Sequence, residues 1–196
     1  MSSIINGWYY KIGEGAQLDS QAEIRNNAQK SYNGLIALGF TPESACGIIG
    51  NMYVESTMNC GQKTGNAWGL TQFYPYTRLT SYCNLHNLTW YDGSAQLQLI
   101  NDEGYFTATS GDFERQWLPT TNYNITWDEY KANTNVEYCA KAYMFNNERP
   151  ATDTSNLRAQ WARYWYDELH GHTPTPIRYK KLQLKYLGLE FLRKGR

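Results

Sequence analysis

The sequence predicts one mainly α-helical domain with a small β-hairpin or loop region after its second helix. Three observations predict it. Helix-start signals recur with matching stop signals, beginning with Ser20-Gln21-Ala22-Glu23 and Thr41-Pro42-Glu43. Ala45, Ile48, Ile49 and Met52 follow the i, i+3, i+4, i+7 spacing of a helical apolar stripe. Residues 57–76 break that pattern with Gly61, Gly65, Asn66 and Pro75 and carry only a weak strand signal. A chain of 196 residues is long enough to bury a real core.

Residues 1–18 are aromatic and Gly-punctuated, which reads as an N-terminal arm or edge strand. The first helix opens at the Ser20/Glu23 capping box, presents Ile24, Ala28, Tyr32 and Leu35, and stops at Gly39. Thr41 caps the second helix, with Pro42 in its first turn, and the pattern runs to Glu55 or Ser56. Ser94 is the expected cap of a helix through Leu97, Leu99 and Ile100, ending at Gly104. Residues 105–133 read as loops with short helical turns around Trp117 and Trp127. A helix over about 135–146 buries Val136, Ala140 and Tyr143. Another over about 154–170 carries Leu157, Trp161, Tyr164 and Trp165. Pro174 and Pro176 mark a boundary, so the expected organisation is an arm at 1–18, a domain at 19–171 and a tail at 172–196.

The formal net charge is zero but unevenly spread. The tail holds Arg178, Lys180, Lys181, Lys185, Arg193, Lys194 and Arg196 against Glu190 alone, which leaves the body acidic. An acidic body gives no reason to expect nucleic acid as a substrate. The tail suits an anionic polymer, a membrane surface, an acidic partner or plain solvent. No stretch approaches the ~18 apolar residues of a membrane span. The N-terminus lacks the charged and apolar regions of a secretory signal, so synthesis in a cytoplasm is expected. Aromatic residues make up 15%, including 17 Tyr and 7 Trp. Flat rings with polar tips serve sugar-binding grooves, protein interfaces and cores alike.

Glu55 occupies the next position of the apolar stripe. A core-facing helix disfavours a charge there, because burying an unpartnered carboxylate is expensive. Burial and the negative end of the helix both favour the protonated carboxyl. A carboxylic acid that keeps its proton is the general acid that glycosidic cleavage needs. An outward-turned or ion-paired Glu55 is the competing structural reading. Downstream lies Trp68-Gly69-Leu70-Thr71-Gln72-Phe73.

Glu55-Ser56 followed by Gly69-Leu70-Thr71-Gln72 resembles the phage tail lysozyme group. That group is a branch of the lysozyme-like superfamily related to goose-type lysozymes and soluble lytic transglycosylases. Arg78 stands at the family's distance from the Gln segment, and residues 96–103 resemble the helix that follows. Phe145-Asn146-Asn147-Glu148-Arg149-Pro150 resembles the family's Phe-x-x-x-Glu-x-Pro turn, and residues 158–165 its closing helix. The resemblance covers about residues 22–167 and implies a lysozyme-like α+β fold.

It further implies cleavage of the β-1,4 bond between N-acetylmuramic acid and N-acetylglucosamine, with bacterial peptidoglycan as the partner. Glu55 is then the catalytic acid. Gln72, Trp68, Tyr53, Gly69 and Ser56 are the expected substrate-binding residues. Relatives work with a single essential Glu, the substrate's own acetamido group or 6-hydroxyl attacking in place of a second carboxylate. Asp92, Asp102, Glu103, Asp112 and Glu148 stand equal as candidates for a second carboxylate. The implied setting is a phage virion, at the tail or tail tip beside other tail proteins, opening the wall for passage of DNA. A holin-dependent endolysin and a catalytically silent wall-binding or structural virion protein remain open.

No cofactor or metal is expected. Cys46, Cys60, Cys83 and Cys139 form no CxxC pair and lack His at ligand spacing. They read as buried thiols, or as disulfides if the protein works outside the cell. His86, His170 and His172 have no flanking pattern for a peptidase base or a zinc site.

Overall fold

The computed structural model describes residues 1–106 and 115–170. Asp112, His172 and the basic tail at 172–196 lie outside the described residues. Helix α1 (Gln21–Ala37) opens on the expected capping box, in which Ser20 accepts from the Glu23 amide and Glu23 reaches back to the cap. It closes in a Schellman arrangement. Phe40 N donates to Leu35 O at 3.1 Å, Gly39 N donates to Ile36 O at 3.0 Å, and Gly39 takes φ +89°. Thr41 then caps α2 (Pro42–Ser56) by accepting from Ser44 N.

Helix α2 lies at the centre, packed chiefly against α6 (Val136–Tyr143) and α7 (Ser155–Leu169). Ala45, Ile48, Ile49 and Met52 are fully buried there, as their spacing predicts. Gly50 makes the α2–α7 approach possible: a Cβ at this position would lie 2.6 Å from Arg158 O and Ala162 N. The remaining helices are α3 (Thr77–Leu85), α4 (Gly93–Glu103) and the short α5 (Trp127–Lys131). Trp117, Trp127, Tyr130 and Tyr143 pack together in the core, with Trp127 stacked on Tyr130.

Two small sheets complete the described residues. β1 (Ser3–Ile5) and β2 (Trp8–Tyr10) form an antiparallel hairpin with Ile5 opposite Trp8. Its turn is Asn6-Gly7, both at positive φ, as a type I′ turn requires. Trp8 is 1% exposed, and its indole N–H donates to Ser94 Oγ at 2.9 Å. The N-terminal arm is thereby tied into the core. β3 (Gly13–Glu14) runs parallel to β4 (Gln62–Thr64), which pairs antiparallel with β5 (Ala67–Trp68). This is the expected small β region after the second helix.

Three local expectations change. Asp92, not Ser94, caps α4, because the Ser94 hydroxyl is taken by Trp8 while Asp92 accepts from Ser94 N. Helix α3 is an addition, since no element was expected over residues 77–85. The α6 helix passes at Met144 into a π-helical turn ending at Glu148, where Arg149 N donates to Met144 O at 2.7 Å. All four cysteines are buried free thiols, and burial pushes Cys60 and Cys139 up to about 12. No described helix is long and apolar enough to cross a membrane.

Candidate active site

The site begins where α2 stops. Thr57 and Met58 both take left-handed backbone conformations, φ +50° and +64°, so the chain leaves the helix abruptly after Ser56. Such angles are costly for residues with side chains and persist only where the surroundings enforce them. Buried hydrogen bonds provide that enforcement. Ser56 Oγ donates to Leu70 O at 2.8 Å, and Gln62 Nε2 donates to Glu55 O at 3.2 Å. Gly69 N donates to Gln62 O at 2.8 Å, which ties the Gly69–Gln72 loop to the helix end.

Gln96 of α4, fully buried, fixes the same loop from below. Its Oε1 accepts from Leu70 N at 2.7 Å, and its Nε2 donates to Cys60 O and Trp90 O at 2.8 and 2.7 Å. Gly69, at φ +84°, leaves room for it, because a Cβ there would lie 2.7 Å from Gln96 Oε1. Gln72 is also left-handed, at φ +51°. Its Nε2 donates to Gly69 O at 2.8 Å, while its Oε1 is buried with no hydrogen-bond partner among the described residues.

Glu55 is not the unpartnered core carboxylate that the stripe suggests. Its side chain is 22% exposed, and Oε1 accepts from Arg158 Nη2 in an ion pair. Arg158, 2% exposed, reaches α2 because Gly50 lets α7 lie close. Its Nη1 donates to Asn51 Oδ1 at 2.8 Å and also to Glu148 Oε2, and its Nε donates to Thr154 Oγ1 at 2.9 Å. One guanidinium therefore joins two carboxylates, Glu55 at the surface and Glu148 inside. Burial pushes Glu148 up to about 8; Arg158 opposes this, and the Glu55 charge adds to it. Asn51 holds the group in register by donating to Gly47 O and Ala140 O at 2.8 and 3.0 Å.

A second buried ion pair lies nearby. Arg78 Nε is 2.5 Å from Glu103 Oε1, with Glu103 only 1% exposed. Burial pushes Glu103 up to about 7 against the pull of Arg78. The guanidinium of Arg78 also acts on Glu148, so the two pairs are electrostatic neighbours.

The second-carboxylate candidates separate on this geometry. Asp92 caps α4 and accepts from Asn6 Nδ2. Asp102 accepts from the Tyr82 hydroxyl at 2.6 Å. Glu103 belongs to Arg78. Glu148 alone among the described candidates shares an ion partner with Glu55. Asp112 lies outside the described residues.

Of the residues expected to bind substrate, Gln72 and Trp68 stay part-exposed. Tyr53 does not line the site. It is 2% exposed, and its ring lies 3.9 Å from that of Trp161, so it packs the α2–α7 contact. Ser56 and Gly69 are likewise buried and build the loop rather than face solvent. Trp68 stacks on Tyr76 at 4.1 Å, and Lys63 Nζ lies 3.8 Å from its ring centre. Its π surface is already engaged, and Trp90 extends the cluster at 4.9 Å. Arg158 escaped the sequence reading as a site residue. The signal available was its place in the closing helix, which says nothing of burial. Among the described residues, no three His, Cys, Asp or Glu side chains come together to hold a metal.

The family model for phage tail lysozyme matches residues 26–169. The chain belongs to the phage tail lysozyme family. The matched region contains α2, the Gly69–Gln72 loop, the π-helical turn and α7, which are the parts that assemble the Glu55 site. The chain is also similar to morphogenesis protein 1 of Bacillus phage B103, 28% identical over 178 residues. That alignment covers 87% of this chain and 46% of the relative, so the chain spans under half the relative's length.

Proposed function

We propose that this phage tail lysozyme family member cleaves peptidoglycan at the β-1,4 bond between N-acetylmuramic acid and N-acetylglucosamine. Glu55 acts as the general acid. The observation that carries the reading is the placement of Glu55, a part-exposed carboxylate at an enforced helix end tied to the Gly69–Gln72 loop; its ion pair with Arg158 is the feature that the structural reading would predict. A fixed acid beside open solvent can protonate the leaving oxygen of a bound glycan.

Glu148 is 7% exposed and engaged by Arg158, so it is not placed to activate water. Glycosidases that use a second carboxylate need it to face the sugar. With no second carboxylate so placed among the described residues, the reading is a single-acid mechanism in which a group of the substrate itself attacks. Gln72 shapes the loop that Gln62 ties to the end of α2, and part-exposed Trp68 precedes that loop. The proposed setting is a virion enzyme that opens the wall for DNA passage, with other tail proteins as partners.

The name of the B103 relative favours one second reading, a structural role in phage assembly. Purified peptidoglycan separates the two. Release of soluble fragments by the unsubstituted protein, abolished in a folded Glu55→Gln variant, supports the enzyme. Wall binding without release from either protein supports the structural role.

A further inference from the structure

We propose that Lys63 is a substrate-recognition residue that takes a carboxylate from the peptide side chains of peptidoglycan. The inference rests on peptidoglycan being the substrate. Lys63 follows Gln62 in β4, and Gln62 is tied to the site: its Nε2 donates to Glu55 O at 3.2 Å and its O accepts from Gly69 N at 2.8 Å. Successive strand residues face opposite sides. Gln62 is accordingly buried against the helix end, while Lys63 stands part-exposed on the outer face. There its Nζ lies 3.8 Å from the ring centre of Trp68 and 5.3 Å from that of Trp90. Tyr76 stacks on Trp68 with an interplanar angle of 19°. The part of Trp68 is therefore to orient a cation, which indole attracts more strongly than the other aromatic rings do.

The charges point to the ligand. Arg158 and Arg78 are committed to buried carboxylates, and Lys11 to Asp19. No carboxylate pairs with Lys63 among the described residues. Its cross-strand neighbour, Glu14 of β3, is turned aside, both of its oxygens accepting from Gly65 N at 3.0 and 3.1 Å. β3 precedes the residues that the family model matches, so the setting of Lys63 includes a strand from outside the matched region. Two indoles hold the ammonium in place without neutralising it, which leaves its charge for a ligand. The sugars of an intact glycan strand are uncharged, whereas the peptides attached to them carry carboxylates. On an acidic body, a local cation of this kind offsets the repulsion of an anionic polymer.

The test is co-sedimentation with insoluble peptidoglycan in two forms, one native and one with its carboxylates converted chemically to amides. Glu55→Gln serves as the background, so that the wall stays intact and binding is read without turnover. Adding Lys63→Met keeps an apolar stem over Trp68 and removes the charge. It should weaken binding to the native wall about three- to tenfold, the size of a part-exposed charge contact. Binding to the amidated wall should not change, and Lys63→Arg should retain most of the native affinity. Equal weakening on both walls means that Lys63 acts through packing and overturns the proposal, as does unchanged binding to the native wall. A background protein that binds neither wall defeats the peptidoglycan reading and this proposal with it. Binding without a difference between the walls defeats this proposal alone.

Discussion

At Arg158, one guanidinium is divided between Glu55 and Glu148 while Asn51 and Thr154 take its other hydrogens. Removing one member of a buried ion pair strands the other, at a cost of about 3–5 kcal/mol. Arg158→Met should therefore lower stability by about that amount, measured by urea denaturation, and should abolish cleavage. A variant that keeps full stability would mean that Glu148 is neutral and indifferent to its partner. The position of Glu55 was legible because it interrupts an apolar stripe. Its partner was not, because Arg158 lies 103 residues away and no local pattern marks an arginine as buried. Tyr53 was misplaced for a related reason. The resemblance places it in the groove, yet its ring packs against Trp161 and is 2% exposed.

The α2–α7 contact decides the site's geometry at the scale of elements. Gly50 admits the α7 backbone, and any side chain there pushes Arg158 away from Glu55. Gly50→Ala should cost at least about 1–3 kcal/mol by overpacking and should reduce cleavage sharply. Thermal melting and activity assays check this together. Gln96→Ala tests the loop. It leaves Leu70 N, Cys60 O and Trp90 O without their shared partner, each unmet buried group costing about 1–3 kcal/mol. Proteolysis within residues 57–73 should accelerate. An unchanged cleavage pattern would place the loop's support elsewhere.

The caps of α1 and α2 were legible, as Ser20 and Thr41 show, whereas the Thr126/Glu129 capping box of α5 went unread. Helix α3 was not, because its nine residues carry only a short apolar stripe and Tyr76 offers no capping side chain. The Asn6-Gly7 turn signal was present in the sequence and points to the hairpin that the structure contains. The π-turn left no trace, since widening by one residue depends on what Glu148 meets in the core.

Across the whole molecule, buried acids set the response to pH. Glu103 is raised from 4.5 to about 7 by burial, so the folded protein binds its proton more tightly than the unfolded chain does. The resulting stabilisation is complete below pH 4.5 and is lost as pH rises through about 7. Glu148 acts in the same direction up to about 8. Stability should fall between pH 5 and pH 8 on this account, and Glu103→Gln should flatten that slope in denaturant titrations. A steeper slope in the variant would contradict the assignment. The mainly helical architecture was legible from capping and periodicity. The convergence of α2, α3, α4, the π-helical turn and α7 on neighbouring ion pairs belongs to tertiary packing and became visible only in three dimensions.

The most direct test is mass spectrometry of purified peptidoglycan after digestion by the unsubstituted protein and by Glu55→Gln. The account predicts disaccharide-peptide fragments cut between muramic acid and glucosamine, absent from the folded variant. Undigested glycan from both, or equal fragments from both, would contradict the assignment of Glu55 as the acid.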